Sequence, residues 1–125
     1  ERGIRFDIET EMVSIGGLTE AEQSILFGNL IDHAIESCEE ADEQGNWIRV
    51  EIKKRMDMTL IKISNNVVKR PLFLKKRLIS GAANSSVHGY GMKSVERIVE
   101  RHDGDLIQET LEDRHCVMVS FYDNM

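Results

Sequence analysis

The chain has 125 residues, 41% hydrophobic and 30% charged, a balance that fits one globular domain large enough to bury a sizeable core. No apolar run approaches the ~20 residues that a membrane span needs, and the opening Glu1-Arg2-Gly3 is read as the edge of a fragment of a longer protein, not as a leader. A net charge of -6 argues against a nucleic-acid or anionic-membrane surface as the main function, because phosphate binding there draws on clustered positive charge.

Ile4, Phe6 and Ile8 alternate with Arg5, Asp7 and Glu9, which predicts a half-buried strand, with Met12-Val13-Ser14-Ile15 as its continuation or partner and Gly16-Gly17 as its end. Thr19-Glu20-Ala21-Glu22 is a capping-box pattern and predicts a helix from Thr19 to about Glu40. Apolar residues at 26, 27, 30, 31, 34, 35 and 38 give it one buried stripe, and Asn29, His33, Glu36 and Ser37 share the flank beside that stripe. Alone, such a flank reads as a solvated helix face. Acidic residues and Gly45 end the helix in a loop.

Ile48, Val50 and Ile52 alternate with charged residues, and after a short turn near Arg55-Met56-Asp57 a second strand runs from Met58 to Ser64, predicting an antiparallel hairpin. Ile61, Ile63 and Asn65 point to one side, so Asn65 stands where a buried row ends and a pocket can begin. Residues 67–87 hold the only proline and the small-residue run Ser80 to Ser86, and are read as a lid. Within them, Lys69 to Arg77 is a basic stretch, read as a solvated face or as a contact for phosphates or a partner domain. From Met92 onward, Val95, Ile98, Val99 and His102 recur at helical spacing, predicting a second helix capped by Gly104. Strands at Asp105 to Glu109 and His115 to Tyr122 close the chain around a polar turn at Leu111-Glu112-Asp113. The order predicts an α+β fold: a two-layer α/β sandwich of one mixed, mostly antiparallel sheet with helices on one face, a single domain over residues 1–125. Cys38 and Cys116 lack disulfide or metal-ligand spacing and read as reduced, partly buried residues of a cytoplasmic protein.

Gly89-Tyr90-Gly91, read as a turn before the second helix, leaves backbone N–H groups open to phosphate oxygens, although a G-x-G before a helix is often only a tight turn. An amide at Asn65 can pair with an adenine edge, although Asn-Asn also suits a strand-ending turn. The combined text is more specific. Gly28 to Glu36 resembles the N-box, and His88 to Gly104 the second glycine box and following helix, of the nucleotide-binding fold shared by gyrases, heat-shock chaperones, sensor histidine kinases and mismatch-repair proteins, the GHKL superfamily. Within it the chain is most similar to the peptide-sensing receptor kinases of Gram-positive quorum systems, where an asparagine commonly stands at the base-binding position, as Asn65 does here.

The resemblance implies an ATP- and Mg²⁺-binding catalytic domain that passes the γ-phosphoryl group to a histidine on a separate helical dimerisation domain, with a response regulator downstream. It implies a cytoplasmic domain of a membrane-anchored parent, with no direct membrane contact and no nucleic-acid partner. Carried over by position, it implies catalytic roles for Asn29 and Glu36, and nucleotide contacts from Asn29, His33, Ser37, Asn65, His88, Gly89, Tyr90, Gly91 and Met92. Asn29 and His33 fall at the metal-binding places, residues 67–87 at the ATP lid. Two departures stand out. His33 occupies the place of the family's metal-binding asparagine, and an imidazole is a poor ligand for Mg²⁺, which prefers oxygen. Asn65-Asn66-Val67-Val68 lacks the glycines of the first glycine box. None of His33, His88, His102 and His115 sits in a dimerising helical hairpin, so no phosphoacceptor is expected in the chain. The departures keep open a degenerate, non-catalytic module that acts by binding, and the fragment's start keeps open a free-standing serine kinase of the anti-sigma type.

Overall fold

The computed structural model describes residues 3–10, 15, 17–39, 45–67, 86–111 and 113–122, and for residues 86–90 the backbone alone. The described residues form β1 (Arg5–Thr10), α1 (Glu20–Glu39), β2 (Trp47–Arg55), β3 (Met58–Asn66), α2 (Ser86–Arg101), β4 (Asp105–Thr110) and β5 (Arg114–Tyr122). The strands make one sheet in the order β1-β2-β3-β5-β4, with β1 parallel to β2 and the other neighbours antiparallel. This is the expected α+β sandwich, with α1 and α2 packed on one sheet face and the core between the layers.

The start of α1 follows from its sequence. The Glu22 amide donates to Thr19 Oγ1 at 3.0 Å and the Thr19 amide to Glu22 Oε1 at 3.0 Å, so two free donors are satisfied reciprocally. Leu26, Leu30, Ala34 and Cys38, four apart, are at most 1% exposed and form the seam against the sheet. Burial of each leucine contributes about 1.5–3 kcal/mol. Opposite them lie Ile48 and Val50 of β2, Ile61 and Ile63 of β3, and Val117, Val119 and Phe121 of β5, one face of a period-two pattern.

Four sequence expectations are corrected. First, α2 starts at Ser86 rather than Met92, so Gly89-Tyr90-Gly91 lies inside the helix. Glycine disfavours a helix interior by about 1 kcal/mol, so the helix forms here against local preference. Second, the residue that turns left-handed at the end of α2 is Asp103, at φ 56, not Gly104. The Asp103 amide donates to Glu100 O and the Gly104 amide to Val99 O at 2.8 Å, the paired bonds of a Schellman motif. Gly104 is glycine because a Cβ there would stand 2.4 Å from the Ser120 carbonyl oxygen.

Third, β1 alternates as expected but is not half-buried. Phe6 and Ile8 lie level with Ile48 and Val50 and are 46% and 64% exposed, because β1 is the edge strand and α1 packs over β2 and β3. What registers β1 is the opposite sheet face, where Arg49 reaches Asp7 at 2.9 Å and Glu9 at 2.7 Å. Fourth, Cys38 and Cys116 are both buried rather than partly buried, Cys38 fully. The β2–β3 turn is as short as expected, two residues, and places Met56 at φ 58.

The expected lid lies outside the described residues except at its ends. There the Val67 amide donates to Asp113 O at 3.1 Å, and Ser86 and Val87 belong to α2. Lys69 to Arg77 and Met12 to Ser14 lie outside as well. Among the described residues no helix is long and apolar enough to cross a membrane.

Candidate functional site

At one end of the sheet two buried rows change from apolar to polar at the same level. In β3 the row Ile61, Ile63 continues into Asn65; in β5 the row Phe121, Val119, Val117 continues into His115; the register pairs Asn65 with His115. Asn65 is 1% exposed, and its Nδ2 donates to the Asn66 carbonyl at 2.9 Å. A second N–H and a carbonyl oxygen remain on that amide, the complement an adenine edge needs.

The polar flank of α1 meets this end. Nε2 of His33 lies 3.4 Å from Nε2 of His115, with the ring centroids 5.3 Å apart and the planes at 62°. Nδ1 of His115 lies 2.7 Å from Thr110 Oγ1. Burial, and then the neighbouring His33, lower the His115 pKa from 6.5 to about 4, so this imidazole is neutral near pH 7. One turn before His33, Asn29 Nδ2 donates to the Ile25 carbonyl at 2.9 Å. That leaves the Asn29 Oδ1 facing α2, where a Cβ on Gly91 would stand 3.1 Å away. A side chain at position 91 would therefore press on the α1 amide, which glycine leaves undisturbed.

Gly91 thus lies against Asn29 and His33 against His115, whose register partner is Asn65, with Asn29 and His33 one turn apart on α1. Glu36 and Ser37 are half-buried on the next turn of the same helix. Met92 is 8% exposed and its side chain belongs to the core cluster. Side chains of His88 and Tyr90 lie outside the described residues. Because Gly91 is the sixth residue of α2, its N–H falls within the helical ladder and not among the free donors of the first turn, which end before Gly89. The expected phosphate turn is in this respect a helix N-terminus, with a positive dipole end that still suits phosphate.

The donor set fits a nucleotide better than it fits magnesium. Mg²⁺ takes oxygen ligands in near-octahedral geometry. The two expected metal positions supply one amide oxygen, from Asn29, and one imidazole whose Nε2 is turned to His115. Among the described residues no three His, Cys, Asp or Glu side chains converge as a metal cluster.

Sequence reasoning missed three features. His115 carries a signal, being the next inward position after Val117, Val119 and Phe121, but only the β3–β5 register brings it to His33. Asn66 accepts from the Trp47 amide at 2.7 Å and donates to Asn46 at 2.8 Å, stitching the start of β2 to the end of β3. Glu22, besides capping α1, bonds Arg101 at 2.8 Å and His102 at 2.9 Å and ties α1 to the end of α2. The Thr19 amide, then Arg101 and His102, hold its carboxyl down from 4.5 to about 2.

The model of the GHKL domain family matches residues 18–121. No curated protein sequence matches the chain. Among solved structures, the catalytic domain of histidine kinase ThkA superposes with a TM-score of 0.74 at 18% identity, covering 98% of this chain and 82% of that one. Histidine kinase AdeS of Acinetobacter baumannii gives 0.70 at 9% identity, over 99% of this chain and 56% of that one. The blue-light activated histidine kinase EL346 of Erythrobacter litoralis gives 0.70 at 10% identity, over 96% of this chain and 35% of that one. At these identities the structural matches establish the fold.

Proposed function

The chain belongs to the GHKL domain family, and from that premise we propose that it is the ATP-binding catalytic domain of a two-component sensor histidine kinase of the Gram-positive, peptide-responsive kind. The observation that carries the reading is the Asn29 carboxamide set against Gly91 of α2, with His33 on the next turn against His115, the register partner of the buried Asn65. Asn65 holds the adenine edge, and the free N–H groups of the first turn of α2 serve the phosphates. Asn29 positions the phosphate end, with Glu36 two turns on as the carboxylate that orients the acceptor. The stretch between Val67 and α2 takes the role of the ATP lid. Rate enhancement rests on positioning and electrostatics, not on a covalent intermediate of this domain.

The γ-phosphoryl group goes to a histidine on a helical dimerisation domain of the same parent, and from there to a response regulator. The domain lies in the cytoplasm beneath a membrane-anchored parent. Magnesium, where bound, supplies charge neutralisation at the phosphates. A second reading, a non-catalytic module that binds nucleotide weakly and signals by contact, is favoured by the engagement of His33 with His115 at the place of a metal-binding amide. Autophosphorylation of the parent protein with γ-labelled ATP separates the two. Transfer that is lost in Asn29→Ala supports the kinase; intact ATP binding with no transfer supports the module; no nucleotide binding at all refutes both.

A further inference from the structure

We propose that His33 and His115 form a binding site for a borderline divalent cation of the Zn²⁺ type, with the two imidazole Nε2 atoms as its protein ligands. The proposal rests on the nucleotide-site reading only for what fills the remaining coordination positions. Its basis is the geometry of the pair.

Protein hydrogen bonds from N–H donors cluster near ~2.9–3.0 Å, so the 3.4 Å between the two Nε2 atoms is long for a direct bond. A tetrahedral ion with Zn–N bonds of about 2.0–2.1 Å sets two ligand nitrogens about 3.3–3.4 Å apart and the centroids of their rings about 5.2 Å apart. The structure has 3.4 Å and 5.3 Å. The rings are inclined at 62° and not stacked, which lets two in-plane lone pairs converge on one point between them.

The surroundings of His115 suit the same role. Its Nδ1, with the proton placed there, donates to Thr110 Oγ1 at 2.7 Å, which fixes the ring and leaves Nε2 as the acceptor nitrogen. A ligating histidine almost always has such an outer partner. His33 and His115 are both half-buried, so an ion can reach them from solvent. Among the described residues no third His, Cys, Asp or Glu joins them, and water or, with nucleotide bound, phosphate oxygens would complete the coordination. Imidazole pairs select Zn²⁺, Ni²⁺ or Cu²⁺ over Mg²⁺, which demands oxygen. Such a substitution at the N-box would make the pocket respond to a different ion.

The test uses the intact 125-residue chain without nucleotide, in excess Mg²⁺. Substoichiometric Ni²⁺ is added while the imidazole Hε1 proton resonances are followed, and Zn²⁺ affinity is measured by calorimetry for the native chain, His33→Asn and His115→Gln. The expected result is selective broadening of His33 and His115 ahead of His88 and His102, one Zn²⁺ per chain, and affinity weakened about tenfold or more by either substitution. Equal broadening of all four histidines, or Zn²⁺ affinity unchanged in the variants, overturns the site, and the broadening decides even if a variant misfolds. ATP titration of the same samples is read separately, so loss of nucleotide binding would count against the kinase reading and leave the metal result standing.

Discussion

Replacing Gly91 by alanine separates packing from function at this site. A Cβ there would stand 3.1 Å from Asn29 Oδ1 and 3.6 Å from its Cγ, tighter than ordinary contact but against a half-buried side chain that can give by a few tenths of an ångström. On stability the terms nearly cancel: alanine in place of a helical glycine gains about 1 kcal/mol, while displacing Asn29 from its bond to the Ile25 carbonyl loses about 0.5–1.5 kcal/mol. Urea denaturation should therefore find Gly91→Ala within about 1 kcal/mol of the native chain. ATP affinity should fall about tenfold or more, equivalent to ~1.4 kcal/mol, because the amide that positions the phosphate end has moved. Native-like ATP affinity in a stable Gly91→Ala chain would show that Asn29 does not position the phosphate end, and a stability loss beyond ~2 kcal/mol would make the position part of the core.

Gly104→Ala should behave oppositely, destabilising by roughly 2–3 kcal/mol in urea with no independent effect on nucleotide affinity, because its Cβ would meet the Ser120 backbone oxygen at 2.4 Å. Glu22, with its carboxyl lowered from 4.5 to about 2, makes the unfolded chain bind more protons across that interval. Stability from this group is therefore complete above pH 4.5 and lost as pH falls toward about 2, and Glu22→Gln should flatten that part of a pH–melting curve.

Much of the fold was legible because its elements carry local signals. The Thr19–Glu22 box, the four-spaced stripe Leu26 to Cys38 and the alternation in β2, β3 and β5 each need only neighbouring residues to be recognised. What local pattern hid was set by tertiary approach. The start of α2 at Ser86 goes against the helix preference of two glycines, one of which makes room for Asn29. The exposure of Phe6 and Ile8 depends on which strands α1 covers, and the left-handed Asp103 on the crowding of Gly104 against β5. Likewise Asn29 and Asn65 could be singled out from motif and alternation, but the partnership of His33 with His115, 82 residues apart, requires the register of the sheet.

Whether this chain binds ATP at Asn65 is decided by titration calorimetry, with and without Mg²⁺, on the native chain, Asn65→Ala and His33→Asn. The expected result is one ATP per native chain, heat abolished in folded Asn65→Ala, and a Mg²⁺ enhancement that is small in the native chain and larger in His33→Asn. No heat from the native chain, with or without the metal, would contradict it.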